Sequence, residues 1–293
     1  MTAPQLFADL DLARRLEGAD LDLLAAAAEL IARRHPELDV FRRGVAGGLV
    51  VHATEGSPLN KLFGAGLHGP PTNDDLQALS VAETVHEQRG APLTAEVATL
   101  ADPALGAELT GRGYRLRGFE NLLALPLDAP QPGPLPAGLT LEPVEDDGTR
   151  ELWIDTVVSG FVAADSQGVA AHEAFARESL EPVIRDFAAV DGMRHLLARW
   201  EGAPAGGASV RHTDDICQLC GASTLPEFRR RGVQTALLGA RLARAAADGC
   251  ELAVVTTLPG SKSQQNVQRQ GFQLVYGRSV LVREPGGPDD LVG

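Results

Sequence analysis

The sequence predicts an α/β architecture of the mixed-sheet (α+β) kind, built as two similar domains in tandem along 293 residues. Three observations predict it. Strand-length runs rich in Val, Leu, Ile and Thr alternate with longer runs of helical periodicity. Short motifs of the first half return in the second at a nearly constant offset. A segment with four prolines, Ala129-Pro130-Gln131-Pro132-Gly133-Pro134-Leu135-Pro136, lies between the halves and reads as a stiff linker.

The repeat rests on three matches. Ala46-Gly47-Gly48 corresponds to Ala205-Gly206-Gly207, Leu62-Phe63-Gly64-Ala65 to Leu219-Cys220-Gly221-Ala222, and Gly113-Tyr114-Arg115-Leu116 to Gly271-Phe272-Gln273-Leu274. Their order is conserved between the halves, so each half is expected to carry one copy of a shared fold. The boundaries that follow are a first domain over 1–128, a linker over 129–138, a second domain over 139–285 and a tail over 286–293.

Taken in order, the first half opens with helices expected at 5–16 and 19–35. Strands follow at 48–54, 60–66, 93–99 and 114–126, with helices near 73–89 and 103–111. In the second half, strands are expected at 194–200, 206–212, 216–224, 251–257 and 273–282, and helices at 149–162, 170–190, 231–248 and 261–270. The helix after Gly232 is the clearest. Val233, Ala236, Leu237, Ala240 and Ala243 share one face, Arg241 and Arg244 fall outside it, and Gly249 terminates it.

Composition limits the function. With 26 Lys and Arg against 39 Asp and Glu, the formal charge of −13 argues against a nucleic-acid partner, whose phosphates are met by clustered cations. No apolar run approaches the roughly 18 residues of a membrane span. The start, Met1-Thr2-Ala3-Pro4, lacks a signal-peptide layout, so a cytoplasmic monomer or homodimer is expected. Cys217 and Cys220 form a CxxC. On a strand, side chains three apart point to opposite faces, so with Cys250 they read as ordinary thiols and no metal site is expected.

The segment that carries chemistry runs Ser223-Thr224-Leu225-Pro226-Glu227-Phe228-Arg229-Arg230-Arg231-Gly232-Val233-Gln234-Thr235-Ala236. It is a strand end, a basic turn and a helix start in succession. A helix N-terminus offers unpaired N–H groups and the positive end of the dipole, and Gly232 lets an anion come close to the backbone. Binding of a polyanion, most naturally a pyrophosphate, follows.

This segment resembles the pyrophosphate loop of the GNAT acyltransferase superfamily, [QR]-x-x-G-x-[GA] after a strand. Arg229-Arg230-Arg231-Gly232-Val233-Gln234 matches five positions and departs at the sixth, where Gln234 replaces Gly or Ala. Thr256-Thr257-Leu258-Pro259-Gly260-Ser261 and Asn266-Val267-Gln268-Arg269-Gln270-Gly271-Phe272 resemble the next strand and short helix. The resemblance implies two GNAT-like domains and acetyl transfer from acetyl-CoA, as cosubstrate, to a small-molecule or peptide amine. It implies cofactor contacts from Thr224, Leu225, Arg229, Arg230, Arg231, Gly232, Val233, Gln234, Thr235, Ser261 and Asn266. It further implies that an N–H at the strand end Thr224-Leu225 polarises the thioester carbonyl.

Direct attack needs a base for the amine and an acid for the thiolate. The family's usual tyrosine position is Val267 here, so Tyr276, Ser261 or Ser263 are the remaining donors, and Asp214, Asp215 and Glu227 the remaining bases. Tyr276 also reads as a packed strand aromatic, and Asp214-Asp215 as a hairpin turn. The acceptor wall is expected at Ser159–Gly168, with Asp165 or Glu173 able to attract a cation. The equivalent turn of the first half, Gly66-Leu67-His68-Gly69-Pro70-Pro71-Thr72-Asn73-Asp74-Asp75, has two prolines, no Arg and two acids, so that half is not expected to bind CoA. A CoA-binding sensor or pseudoenzyme and a protein-interaction module are the competing readings.

Overall fold

The computed structural model describes residues 5–127, 133–163 and 176–286. Two compact units divide the chain. An N-terminal unit takes Phe7–Asn121 with Val275–Gly293, and a C-terminal unit takes Met1–Leu6 with Leu122–Leu274. The units therefore do not follow the linear boundary expected at the prolines, because the chain passes from one to the other inside two long strands.

The N-terminal unit contains α1 (Leu10–Arg34), β1 (Phe41–Val45), β2 (Gly48–His52), β3 (Lys61–Phe63), α2 (Asn73–Gln88), β4 (Leu93–Ala98), α3 (Pro103–Gly111) and the start of β5 (Arg115–Pro126). Its strands lie in the order β1-β2-β3-β4-β11. Pairing is antiparallel except for β3 with β4, and β11 (Gln273–Arg283) joins β4 over Arg278–Arg283. Val50, Leu62, Leu79, Leu93, Leu105 and Leu281 are central to its core.

In the C-terminal unit, β6 (Leu139–Pro143), α4 (Asp147–Val162), α5 (Arg177–Phe187), β7 (Met193–Trp200), β8 (Ala203–Thr213) and β9 (Ile216–Thr224) precede α6 (Val233–Ala247), β10 (Leu252–Thr257) and α7 (Lys262–Arg269). The strand order is β10-β9-β8-β7-β6, parallel only between β9 and β10. One apolar cluster sets Leu238 and Leu242 of α6 against Val210 and Cys217. Another gathers Trp153, Val157 and Val158 of α4 with Leu197. The helix α4 crosses β8 closely, since a Cβ at Gly207 would come within 2.8 Å of the Trp153 ring.

Several expectations are corrected. A single helix, α1, replaces the two expected at 5–16 and 19–35. Its buried stripe of Ala13, Leu16, Leu23, Leu24, Ala27 and Ile31 continues through Gly18, outweighing the roughly 1 kcal/mol that an interior glycine costs. The edge strands β1 and β6 were not anticipated, because their short, half-polar sequences carry no apolar run. The first repeat match is displaced. Ala46-Gly47 is the hairpin turn before β2, with φ of 50° and 80°, and its conformational counterpart is Glu201-Gly202 at 50° and 87°. Ala205-Gly206-Gly207 instead lies inside β8. The third match holds in detail: Gly113 and Gly271 follow α3 and α7, and the next N–H bonds back to Leu109 O and Val267 O respectively. Among the described residues no helix is long and apolar enough to cross a membrane.

Candidate active site

The site is built where β9 leaves its parallel neighbour. Only Ile216, Cys217 and Gln218 pair with Leu252, Ala253 and Val254, whereas β9 continues to Thr224 and β10 to Thr257, so the two strands part. A bulge accompanies the parting. Ala208 pairs with Ala222 but Ser209 with Cys220, leaving Gly221 without a partner in the register, at φ 33°. An extra residue of this kind bends its strand and increases the local twist.

Beyond β9 the chain makes a short turn, Pro226–Phe228, and reaches Gly232 at φ 83° and ψ 2°. This left-handed geometry starts α6, and no side chain caps the helix. The first-turn N–H groups of Val233, Gln234 and Thr235 have no intrahelical acceptor by helix geometry, and they carry the positive end of the dipole. Two further polar atoms await a partner. The hydroxyls of Thr224, at the end of β9, and Thr257, at the end of β10, are buried with no hydrogen-bond partner among the described residues. The donors, the dipole and the parted strands fit a ligand with a diphosphate and a polar chain.

The three arginines of the turn have different tasks. Arg229 turns inward: its Nε donates to Thr224 O at 3.2 Å, and its Nη2 donates to Ala163 O and to Gly160 O. It thus caps the C-terminal carbonyls of α4, a favourable place for a cation. Arg231 lies over the Trp200 ring at 5.2 Å and the Phe228 ring at 5.7 Å. Arg230 is exposed, with φ 63°. The expectation of three phosphate contacts is therefore corrected for Arg229, whose guanidinium is committed to main-chain oxygens. Leu225 is corrected too, because its N–H donates to Ala205 O at 2.9 Å and is not available to a thioester.

On the other strand, Ser261 caps α7 by accepting the Gln264 N–H at 3.1 Å, and Asn266 is half-buried on that helix. Val267 faces the apolar cluster with Leu242 and Phe272, so no proton donor could act from its side-chain position. Tyr276 belongs to the N-terminal unit. It is 5% exposed, and its hydroxyl donates to Glu17 Oε1 at 2.8 Å. Burial, followed by the charge of Glu17, pushes the phenol far above its ordinary range. Asp215 sits in the β8–β9 turn. The nine residues of β9 separate it from the loop by about 30 Å at ~3.3 Å per residue, which removes it as a base there. Glu227 is exposed in the turn itself. Asp165 and Glu173 lie outside the described residues.

The bulge and its supports escaped the sequence reading. Arg241, expected on the outer face of α6, is 3% exposed. A glycine inside an expected strand, Gly221, was the available signal.

The family comparison rests on the segment that contains this loop. Residues 161–272 match the model of the acetyltransferase (GNAT) family. The C-terminal unit carries a GNAT domain. Solved structures extend the fold to the rest of the chain. A tandem GNAT protein from the clavulanic acid biosynthesis pathway is 18% identical with a TM-score of 0.62, covering 97% of this chain and 98% of its own. A GCN5-related N-acetyltransferase from Kribbella flavida gives 18% identity and 0.63 over 90% and 97% of the two chains. One from Sphaerobacter thermophilus gives 14% and 0.59 over 98% and 96%. At these identities the likeness is one of fold, and it agrees with two GNAT-like domains in tandem. Comparison with curated proteins gives no match.

Proposed function

We propose that the protein is an acetyl-CoA-dependent N-acyltransferase whose one competent domain is the C-terminal GNAT unit. The observation that carries this reading is the parting of β9 and β10 in front of an uncapped helix that begins at a left-handed glycine. Bound acetyl-CoA supplies an activated thioester for direct attack by an amine. The N–H groups of Val233, Gln234 and Thr235, with Arg230, hold the diphosphate. Thr224 and Thr257 offer hydroxyls to the pantetheine chain. The unpaired backbone at Gly221 polarises the thioester carbonyl as negative charge develops on its oxygen.

The acceptor is a small-molecule or peptide amine. It enters beside the end of α4, where Phe161 and Val162 are 40% and 47% exposed and Phe161 approaches Gly221. With Val267 in the core and Tyr276 engaged by Glu17, thiolate departure relies on local positive potential and solvent. That same observation favours the second reading, a CoA-binding sensor without turnover. An interaction module built on the arginine cluster is disfavoured by the commitment of Arg229 to α4 and of Arg231 to Trp200. Calorimetric titration with acetyl-CoA, followed by thiol release in the presence of an amine library, tests the proposal. Binding with release supports the transferase, binding without release the sensor, and no binding removes both.

A further inference from the structure

We infer that Arg241, together with Ser209 and His195, is a positioning assembly that fixes the bulge at Gly221 and through it the backbone that polarises the acyl carbonyl; this rests on the function proposed above. The bulge begins where the register slips between Ala208 and Ser209, so Ser209 is the residue whose place decides the geometry. It is held through both its side chain and its main chain. The Ser209 hydroxyl donates to His195 Nδ1 at 2.9 Å, and His195 Nε2–H donates to Ala188 O at 3.0 Å. Burial keeps that imidazole neutral, which suits one nitrogen accepting and the other donating, and the Trp153 ring covers it at 4.3 Å. The Ser209 main-chain oxygen accepts Arg241 Nη1–H at 3.0 Å, while Arg241 Nε–H bonds Leu237 O at 3.2 Å.

Arg241 is an unexpected residue for this task. Among the described residues no carboxylate pairs with it, and its charge is felt by the thiols of Cys217 and Cys220. A buried, unpaired guanidinium is costly, and an apolar side chain of similar volume would pack there at less expense to stability. Its placement gives it a task. Ser209 pairs directly with Cys220, the neighbour of Gly221, so the cation stands within about one or two strand spacings of the unpaired backbone. There it both fixes the bulge and adds positive potential where an oxyanion and a thiolate form, a role left open by the missing tyrosine.

The full chain loaded with acetyl-CoA carrying 13C at the acetyl carbonyl provides the test, by 13C NMR with calorimetry on the same samples. The wild-type carbonyl resonance should move downfield on binding. Arg241→Met should bind within about threefold of wild type yet return the resonance at least about half way to its free position. Arg241→Lys, which restores a cationic donor, should recover most of the shift, and Ser209→Ala should fall between. A wild-type resonance in a folded Arg241→Met variant overturns the inference. If that variant does not fold, a wild-type resonance in Ser209→Ala overturns it. Absence of acetyl-CoA binding by the wild type would remove the proposed function and this inference with it, whereas binding with an unresponsive carbonyl removes the inference alone.

Discussion

The helices α2 and α6 occupy the same place in their units, each following the strand that pairs in parallel with its neighbour, yet they begin in opposite ways. At α2 the chain supplies its own anion. Thr72 caps the helix by accepting the Asp75 N–H at 3.3 Å, and Asp75 Oδ2 accepts the Thr72 N–H at 2.9 Å. Asp75 Oδ1 also accepts the Ala46 N–H at 2.7 Å, so a carboxylate sits where a bound anion would. At α6 no side chain caps the helix, and Gly232 leaves the N–H groups open. The strands beyond repeat the contrast. Both parallel pairs stop after three positions, but at the last pair of the N-terminal unit Phe63 lies 4.5 Å beneath the Arg278 guanidinium, which is held by Glu17 at 2.8 Å and Asp20 at 2.7 Å. The two units thus differ chiefly in what meets the helix start, a side chain of the protein at α2 and none at α6.

The largest effect should come from making α6 resemble α2. Gln234→Glu places a carboxylate in the first turn of α6, at the position that Asp74 holds in α2, and should weaken acetyl-CoA binding by more than about 1.4 kcal/mol, or tenfold, in a calorimetric titration. Gly232→Val should do at least as much, but φ 83° also strains the backbone, so Gly232→Asn, which tolerates the left-handed region, serves as its control. One site per chain is expected, with a ligand-dependent rise in Tm. Unchanged affinity in Gln234→Glu would mean that the open helix start is not the binding element.

The converse change should leave binding alone and cost stability. Thr72→Ala removes the cap of α2 and should destabilise the protein by about 1 kcal/mol, with acetyl-CoA affinity unaltered. Hydrogen bonds from Thr72 and Ala46 hold the Asp75 carboxyl below its ordinary range. Such a group stabilises the fold above its unfolded pKa near 3.8, and the contribution disappears as pH falls through the lower folded value. Chemical denaturation at pH 6 and pH 3 should therefore show the Thr72→Ala penalty at the first and a reduced one at the second. A penalty independent of pH would separate the cap from the carboxylate.

How much of this contrast was legible depends on where each interaction is local. Thr72 with Asp75, and Gly232 before an apolar helical face, are short-range patterns, and both helix starts were readable from them. The β9–β10 parting depends on the register between two strands and follows from no local pattern. The bulge at Gly221 depends on the pairing of Cys220 with Ser209, eleven residues away, and the burial of Arg241 on a bond to the Ser209 carbonyl of another element, so neither follows from helical periodicity. The role of Arg229 was hidden for the same reason: its acceptors at Gly160 and Ala163 lie more than sixty residues upstream. The exchange of β11 was obscured by the linear repeat, which assigns each strand to the half it is encoded in.

Tyr276 sharpens the comparison from the side of the N-terminal unit. Tyr276→Phe deletes the hydroxyl that donates to Glu17 and should lower stability by about 1 kcal/mol. In a thiol-release assay its effect should stay below about tenfold, less than the ~10² expected of a positioned general acid. A binding-neutral loss of that larger size would make the tyrosine a proton donor and give the N-terminal unit a part in the chemistry.

The smallest effect should be that of Arg230→Ala. Its side chain is exposed, and exposed ion pairs are worth about 0–1 kcal/mol because water and salt screen them. The main-chain donors of α6 are unaffected by the change, so acetyl-CoA affinity should fall by less than about fivefold, and less still in 0.5 M salt. Arg229→Ala is the informative companion, because it removes a cap on α4 and leaves the phosphate donors in place. It should lower stability while changing affinity little, whereas a pair of phosphate-binding arginines would show the reverse. If Arg229→Ala and Arg230→Ala both reduce affinity more than tenfold without loss of stability, the side chains rather than the helix start hold the anion, and the distinction between α6 and α2 reduces to their charge.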